Sequence, residues 1–206
     1  MPSPSVRNRS PKRVAALMAL ALLTPVLGGC AGAAIGAGAT VGLAAFQERG
    51  LEGVARDTAL SAQIISKYVE HDTTLATQVG VEVWEARALL TGLVKTEDER
   101  AEAVRLAWAV AGIKDVINEI GIKSAEGIED FAYDTWITTQ LESRLTFDQD
   151  VWAINFNVET VNGVVYLIGI AQSQAELDRV IAHARDIKRV RRVISHVRIK
   201  DPAAAS

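Results

Sequence analysis

Apolar residues recur at two spacings along the chain, and each spacing predicts a different kind of element. An apolar residue at every fourth position predicts an amphipathic helix. The first such stripe is Leu60, Ile64 and Tyr68. Strict alternation of apolar and polar positions predicts a half-buried strand, and it is first seen at Val79, Val81 and Val83. The chain therefore combines helices with half-buried strands.

This pattern occurs twice. A shift of 77 residues aligns residues 57–123 with residues 134–200 without a gap. The second helix stripe is Ile137, Leu141 and Leu145, and the second alternation begins at Ile154, Phe156 and Val158. Identical pairs include Asp57/Asp134, Glu82/Glu159, Gly92/Gly169 and Glu99/Glu176. A repeat of this length indicates a duplicated structural unit.

The hairpin and the second helix of each unit have their own signals. In the second copy Asn162-Gly163 predicts a tight hairpin turn, after which Val165 and Leu167 continue the inward face. The first copy has Glu85-Ala86 there, which is poor turn chemistry. Helix-start capping boxes follow in both copies, formed by Thr96 with Glu99 and by Ser173 with Glu176.

The second helix and a last strand complete each unit. The helix is expected to bury Ala103, Leu106 and Val110 in the first copy and Val180, Ala184 and Ile187 in the second. The last strand is expected to turn inward Val116, Ile120 and Ile122, and Val193, Val197 and Ile199. The prediction is an α+β fold of two tandem units, each α-β-β-α-β, with two helices on one face of a three-stranded mixed sheet.

The first thirty residues have the layout of a lipoprotein signal. Four basic residues precede an apolar run over residues 14–26, which is shorter than the ~20 residues that span a bilayer. The run ends at Leu27-Gly28-Gly29-Cys30, which resembles the bacterial lipobox and implies cleavage before Cys30 and its acylation, with palmitate among the acyl chains. The alternative is an ordinary signal peptide with a chance cysteine. By resemblance to bacterial sorting rules, Ala31 after the cysteine indicates the outer membrane.

The predicted organisation follows from the repeat and the signal. Residues 1–29 are the signal peptide, residues 30–56 the acylated cysteine with a Gly/Ala-rich tether, and residues 57–123 the first domain. Residues 124–133 are a linker, residues 134–200 the second domain and residues 201–206 a tail. Residues 31–46 fit either a flexible tether or a membrane-associated stretch.

Composition and charge exclude several classes of protein. With 49% apolar and 23% charged residues the chain is neither disordered nor collagen-like. One cysteine allows no internal disulfide. The whole chain carries a net charge of −3, and without residues 1–29 it carries 18 basic against 25 acidic groups, a net of −7. A general electrostatic interaction with nucleic acid is therefore not expected.

The order of elements and several short motifs resemble the BON domain. The second copy fits the family strand GxVxLxG at Gly163, Val165, Leu167 and Gly169. The first copy has Ala86 and Ala88 in place of the glycine and the valine. The resemblance implies a non-enzymatic protein at the inner leaflet of the outer membrane, facing the periplasm of a Gram-negative bacterium. It further implies a role in envelope integrity and contact of the second repeat with anionic phospholipid.

The residues themselves contain a matching candidate site. On the first helix of the second copy, Tyr133 and Trp136 replace Arg56 and Ala59 of the first copy. Tyrosine and tryptophan suit a bilayer interface or a partner surface. The predicted phospholipid-binding set is Tyr133, Trp136, Ile137, Gln140, Arg144 and Phe147. The alternative is that these rings pack between the domains or against the linker.

A basic cluster adds a second group of candidates. The first repeat has 7 basic and 11 acidic residues, whereas the second has 9 and 8. Anionic-lipid contacts are proposed for Lys188, Arg189, Arg191 and Arg192. The alternative for these four residues is a solvated turn. Spacing alone does not show whether the cluster shares a face with Trp136.

Two hypotheses of function remain, and an enzyme is not expected. The first is a lipid-tethered module that binds an anionic phospholipid membrane. The second is a periplasmic adaptor that uses the same aromatic patch to bind an outer-membrane protein or its assembly machinery. The histidines, His71, His183 and His196, have no Cys or carboxylate at metal-ligand spacing. No catalytic group, metal, cofactor or small-molecule substrate is expected.

Overall fold

The computed structural model describes residues 46–123 and 131–201, and both predicted repeats are present there. The first domain consists of α1 (Gly50–His71), α2 (Thr73–Gln78), β1 (Val79–Trp84), β2 (Arg87–Val94), α3 (Glu97–Trp108), β3 (Asp115–Asn118) and β4 (Gly121–Ile122). The second consists of α4 (Phe131–Phe147), a 3-10 turn (Ala153–Asn155), β5 (Phe156–Val161), β6 (Val164–Ala171), α5 (Gln174–Arg185), β7 (Arg192–Ser195) and β8 (Arg198–Ile199). The predicted signal peptide, Cys30 and residues 31–45 lie outside the described residues.

Each domain has its own apolar core between two helices and one face of its sheet. All six residues of the predicted first-helix stripes are buried, as are the six predicted residues of the second helices. In the first domain these residues meet Val79, Val83 and Leu90 of the hairpin. In the second they meet Phe156, Val158 and Leu167. The structure thus confirms which faces of the helices and strands turn inward.

The sheets are mixed, as predicted, but the last strand is interrupted. β1 pairs antiparallel with β2, and both β3 and β4 pair parallel with β2. The second domain repeats this arrangement with β5 to β8. The predicted α-β-β-α-β fold is confirmed, and the last strand of each domain consists of two short segments that pair with the same neighbouring strand. In the first domain Ile120, in the break between these segments, still reaches the core.

Two residues that were predicted to face inward do not, and two helices begin before the predicted domain boundaries. Ile154 lies in the 3-10 turn before β5, and Ile199 is exposed on the short β8, so neither joins the core. α1 begins at Gly50, inside the predicted tether, and α4 begins at Phe131, inside the predicted linker. The short helix α2 was not predicted; Asp72 caps it by accepting a hydrogen bond from the Thr74 N–H at 2.8 Å.

A buried aspartate explains how Glu85-Ala86 forms a hairpin turn. Both residues have positive φ, 52° and 63°, which favours glycine or asparagine. The Asp57 carboxylate accepts hydrogen bonds from the N–H groups of Glu85 and Ala86 at 2.8 and 2.9 Å. It also accepts one from the Arg49 guanidinium at 2.8 Å. The first helix thus holds the turn in a conformation that its own residues disfavour.

In the second domain an aspartate holds the hairpin turn in the same way, and the residues of this turn favour its conformation. The Asp134 carboxylate accepts hydrogen bonds from the N–H groups of Asn162 and Gly163 at 2.6 and 2.8 Å. Asp57 and Asp134 occupy equivalent positions of the repeat. Each pins its hairpin to the first helix of its own domain, so the duplicated aspartate has a structural role.

The two sheets pack against each other through the faces that the helices leave open. Trp84 and Leu89 of the first domain form a buried cluster with Tyr166 and Ile168 of the second. Residues 46–201 thus contain both cores and the contact between them. A chain that begins at Phe46 contains every residue of both cores and of the cluster between the domains.

Polar pairs surround this cluster and join the domains at several points. The ion pairs are Arg198–Glu85 at 2.8 Å and Lys200–Glu48 at 2.9 Å, and His196 Nε2 lies within hydrogen-bond distance of Glu119 Oε1 at 2.8 Å. The Glu48 N–H also donates to Asn155 Oδ1 at 3.0 Å. The segment before α1 therefore contacts the second domain, although it leads directly into the first.

Two equivalent glutamates meet at the domain contact with different partners. Glu82 Oε2 accepts a hydrogen bond of 2.6 Å from the Asn157 amide, whereas Glu159 faces Gly80, the equivalent of Asn157 in the first domain. Burial raises the pKa of Glu82, and the Asn157 hydrogen bond and Arg49 oppose that shift. Burial, followed by the charges of Glu82, Asp134 and Glu142, raises the pKa of Glu159 to about 7.

The hairpin contacts predict unequal costs for removing the two aspartates. Asp57→Ala leaves two N–H groups of a disfavoured turn and the Arg49 charge without their acceptor, and we expect a loss of about 3–5 kcal/mol in unfolding free energy. Asp134→Ala leaves an Asn-Gly turn that forms readily, and we expect a loss of about 1–2 kcal/mol. Urea unfolding of the chain from Phe46 onward measures both. Equal losses would contradict the assigned role of Asp57.

The glutamate contact predicts that stability falls as pH rises toward neutrality. The unfolded Glu159 carboxyl titrates near 4.5 and the folded one near 7. The folded chain therefore keeps a proton that the unfolded chain loses, so this stability is complete below pH 4.5 and is lost as pH rises through 7. Each pKa unit corresponds to ~1.4 kcal/mol, and partial exposure reduces the total, so we expect about 2 kcal/mol.

Urea unfolding between pH 4.5 and 8 tests this dependence. Glu159→Gln removes the carboxyl with the pKa of about 7 and should reduce the slope of the profile. Glu70→Gln, at an exposed glutamate of α1, is the control and should leave the slope unchanged. A Glu159→Gln protein with the slope of the wild type would show that this carboxyl does not titrate as described.

Candidate functional site

α4 has one buried face and one aromatic face. Ile137, Leu141 and Leu145 fill the core, and Ile137, a member of the predicted phospholipid-binding set, is only 1% exposed and borders the depression beside Tyr133. On the neighbouring face Tyr133 and Trp136 are 39% and 42% exposed. They do not join the cluster between the domains, since the sheets fill that contact.

The two rings contact each other and an arginine. The centroids of Tyr133 and Trp136 lie 6.4 Å apart, and the ring planes meet edge to face at 79°. The Arg189 guanidinium lies over the Tyr133 ring, with Cζ 3.3 Å from its centroid. A guanidinium over an aromatic face is attracted by the electron-rich ring. The fold therefore joins the predicted aromatic and basic groups at this point.

The predicted basic residues do not all lie at the rings. Arg191 joins Arg189 beside the hairpin, where its guanidinium donates to Asn162 Oδ1 at 3.1 Å. Lys188 is exposed, and Arg192 is exposed at the start of β7. Arg192 lines a different hollow, with Arg185 and Val190. Two of the four basic residues thus border the same depression as Tyr133.

The last part of the predicted set lies near the other end of α4. Phe147 is 83% exposed. The Arg144 guanidinium forms an ion pair of 2.8 Å with Asp186. His183 Nε2 lies 2.6 Å from Asp148 Oδ2, and the hydrogen bond from His183 is the main cause of the lowered pKa of Asp148. This end is therefore held by ion pairs between α4, α5 and the loop after α4.

Three further residues lie on or near α4, namely Gln140 of the predicted set and two aromatic residues outside it. Gln140 is partly buried on α4 between the two ends. Phe131, at the start of α4, and Trp152, before the 3-10 turn, are both exposed. The amphipathic pattern did not predict them because they lie at element ends, where spacing is uninformative.

The described residues carry no group of three or more His, Cys, Asp or Glu side chains placed to hold a metal ion. Among the helices of residues 46–123 and 131–201, none combines the length and hydrophobicity needed to cross a bilayer. The site is a surface of aromatic rings and guanidinium groups beside an open depression. Such a surface can bind an anionic, partly apolar partner.

The chain is similar to a known protein family and to several curated proteins. A BON-domain family model matches residues 56–124 and 133–201. The chain is 39% identical over 145 residues to "Uncharacterized protein in gshII 5'region" of Anaplasma centrale, covering 70% of this chain and 95% of that protein.

Two named relatives match at lower identity. The chain is 30% identical over 146 residues to Osmotically-inducible protein Y of Escherichia coli K12, covering 70% of this chain and 73% of that protein. It is 31% identical over 178 residues to Outer membrane lipoprotein DolP of Haemophilus influenzae, covering 84% of this chain and 92% of that protein. Since the family model matches both repeats, this chain belongs to the BON-domain family, with two BON domains in tandem.

Proposed function

We propose that this protein is a lipid-anchored protein of the outer membrane whose second BON domain binds anionic phospholipid from the periplasmic side. It acts without catalysis and supports the integrity of the envelope. The observation that carries the proposal is the exposed pair Tyr133 and Trp136 with the Arg189 guanidinium stacked against it. The similarity to an outer-membrane lipoprotein supports the location.

Comparison of the two domains favours a role for the second. The first helix of the first domain has Arg56 and Ala59 where the second has Tyr133 and Trp136. Both helices fill their cores in the same way, so the core does not explain the exchange. Exposed aromatic rings on one of two otherwise similar helices indicate an external partner.

The chemistry of the surface fits the headgroup region of a bilayer. Tyrosine and tryptophan rings are favoured at the boundary between lipid and water. A basic residue near an anionic surface contributes ~1 kcal/mol of attraction. The second repeat has 9 basic and 8 acidic residues, whereas the first has 7 and 11. The first domain is therefore repelled from an anionic surface that attracts the second.

The predicted anchor reduces the affinity that this surface needs. Acylated Cys30 would hold the chain at the membrane, and residues 31–45 extend at most about 50 Å. A tethered surface stays at high effective concentration near its target. Weak binding by α4 is then sufficient to orient the protein on the bilayer.

Replacement of Trp136 tests the proposal. Trp136→Glu in the chain from Phe46 onward places a negative charge in the patch and should lower affinity for phosphatidylglycerol vesicles by at least about tenfold, or ~1.4 kcal/mol. Trp108→Glu is the matched control, since Trp108 is 49% exposed on α3 of the first domain. It should bind like the wild type. Vesicle co-sedimentation measures both, and unchanged binding by Trp136→Glu would exclude the proposed contact.

The adaptor hypothesis predicts a different result. A photo-crosslinking amino acid at Trp136 in intact envelopes should label lipid under our proposal. A single discrete protein adduct would instead indicate a protein partner at the same patch. The same label at Trp108 controls for random collisions.

A further inference from the structure

Arg189 occupies a backbone position that favours glycine. It has a φ of +73°, in the left-handed region that L side chains rarely adopt. The equivalent residue of the first domain is Gly112, with a φ of +102°. The loops correspond, since the Ile113 N–H donates to Val110 O in the first domain and the Val190 N–H donates to Ile187 O in the second. The second domain thus has an arginine where the equivalent loop of the first domain has a glycine.

The contact made by Arg189 exists only in the second domain. Its guanidinium stacks on Tyr133, and the corresponding residues of the first domain are Gly112 and Arg56. Both members of the pair therefore differ between the copies. Strained backbone that is kept in a structure often marks a functional position. The side chain, rather than the loop, accounts for the presence of arginine here.

The pair borders an open cavity of about 340 Å³ at the start of α4. The hairpin residues Asn162 and Gly163 form another part of its wall, and Arg191 lies beside them. This volume is at the lower end of the range for small-molecule sites. The cavity is therefore of a size for a headgroup rather than for a whole lipid.

Two guanidinium groups and one carboxylate border the cavity. The guanidinium groups belong to Arg189 and Arg191, and the carboxylate belongs to Asp134. Both Asp134 oxygens accept hydrogen bonds from the turn N–H groups, so this carboxylate is committed to the hairpin. A guanidinium stacked by its face carries its N–H donors in its plane, in the fork that suits phosphate oxygens.

We propose that this cavity receives the phosphate of an anionic phospholipid headgroup, with Arg189 as the main phosphate contact. The inference rests on the proposed function and adds a defined binding position to it. A lipid is favoured over free phosphate because exposed Trp136 adjoins Tyr133 at the cavity wall and offers apolar contact that a free ion does not use. Tyr133 then holds the guanidinium in place for the headgroup.

The test uses the residue that the first domain has at this position. Arg189→Gly in the chain from Phe46 onward suits the backbone, so its melting temperature should not fall by more than a few degrees. Affinity for phosphatidylglycerol vesicles should fall about tenfold. The control Arg185→Gln removes one positive charge from the exposed last turn of α5, and we expect a loss below about twofold.

A second measurement locates the phosphate. Short-chain phosphatidylglycerol below its micelle concentration should shift the NMR amide signals of Asn162 and Gly163 in the wild type but not in Arg189→Gly. Inorganic phosphate at the same concentration should leave these signals unchanged. Equal shifts with phosphate alone would overturn the assignment to a lipid headgroup.

The outcomes separate this inference from the proposed function. If the wild type binds anionic vesicles and the two variants lose affinity equally, general charge attraction explains binding and the cavity site is wrong, whereas the proposed function stands. If the wild type does not bind anionic vesicles, both are wrong.

Discussion

The packing of one sheet against the other is the constraint on which the rest of the structure depends. Each sheet has helices on one face and the partner sheet on the other, around Trp84, Leu89, Tyr166 and Ile168. The helices and the partner sheet thereby cover the middle of each sheet, whereas Ile199 on β8 stays exposed. The helices lie on the outside of the two-domain unit, so their outward faces are available to a partner. A change on one helix can then alter binding while the cores remain as they are.

The two domains differ at positions where the same residue in both copies would be unfavourable. Glu82 has the Asn157 amide, whereas Glu159 meets Gly80 and keeps a raised pKa. The hairpins differ in the same way, because the Glu85-Ala86 turn needs the buried Asp57 more than the Asn-Gly turn needs Asp134. The same hairpin thus depends mainly on a tertiary contact in the first domain and mainly on its own turn residues in the second.

Much of the fold was predictable because the sequence contains the same pattern in two copies. The helix stripes, the hairpin faces and the capping boxes each depend on spacing within one element, and the 77-residue shift supported the weak Glu85-Ala86 turn. The break in the last strand and the start of α1 at Gly50 were missed, since element ends carry little periodic signal. The helix pattern placed Tyr133 and Trp136 on a face next to the buried stripe but left open whether the rings are exposed, whereas the contact of Tyr133 with Arg189 spans 56 positions and depends on tertiary structure. A comparison of Gly112 with Arg189 was the available signal for it.

The proposed lipid contact lies at one end of α4, and spin-labelled lipid tests that proposal most directly. In NMR spectra of the chain from Phe46 onward with anionic bicelles, a nitroxide at the headgroup broadens the signals of nearby residues. We expect strong broadening at Tyr133, Trp136 and Arg189 and weak broadening at Trp108 of the first domain. Uniform broadening, or broadening centred on the first domain, would contradict the account.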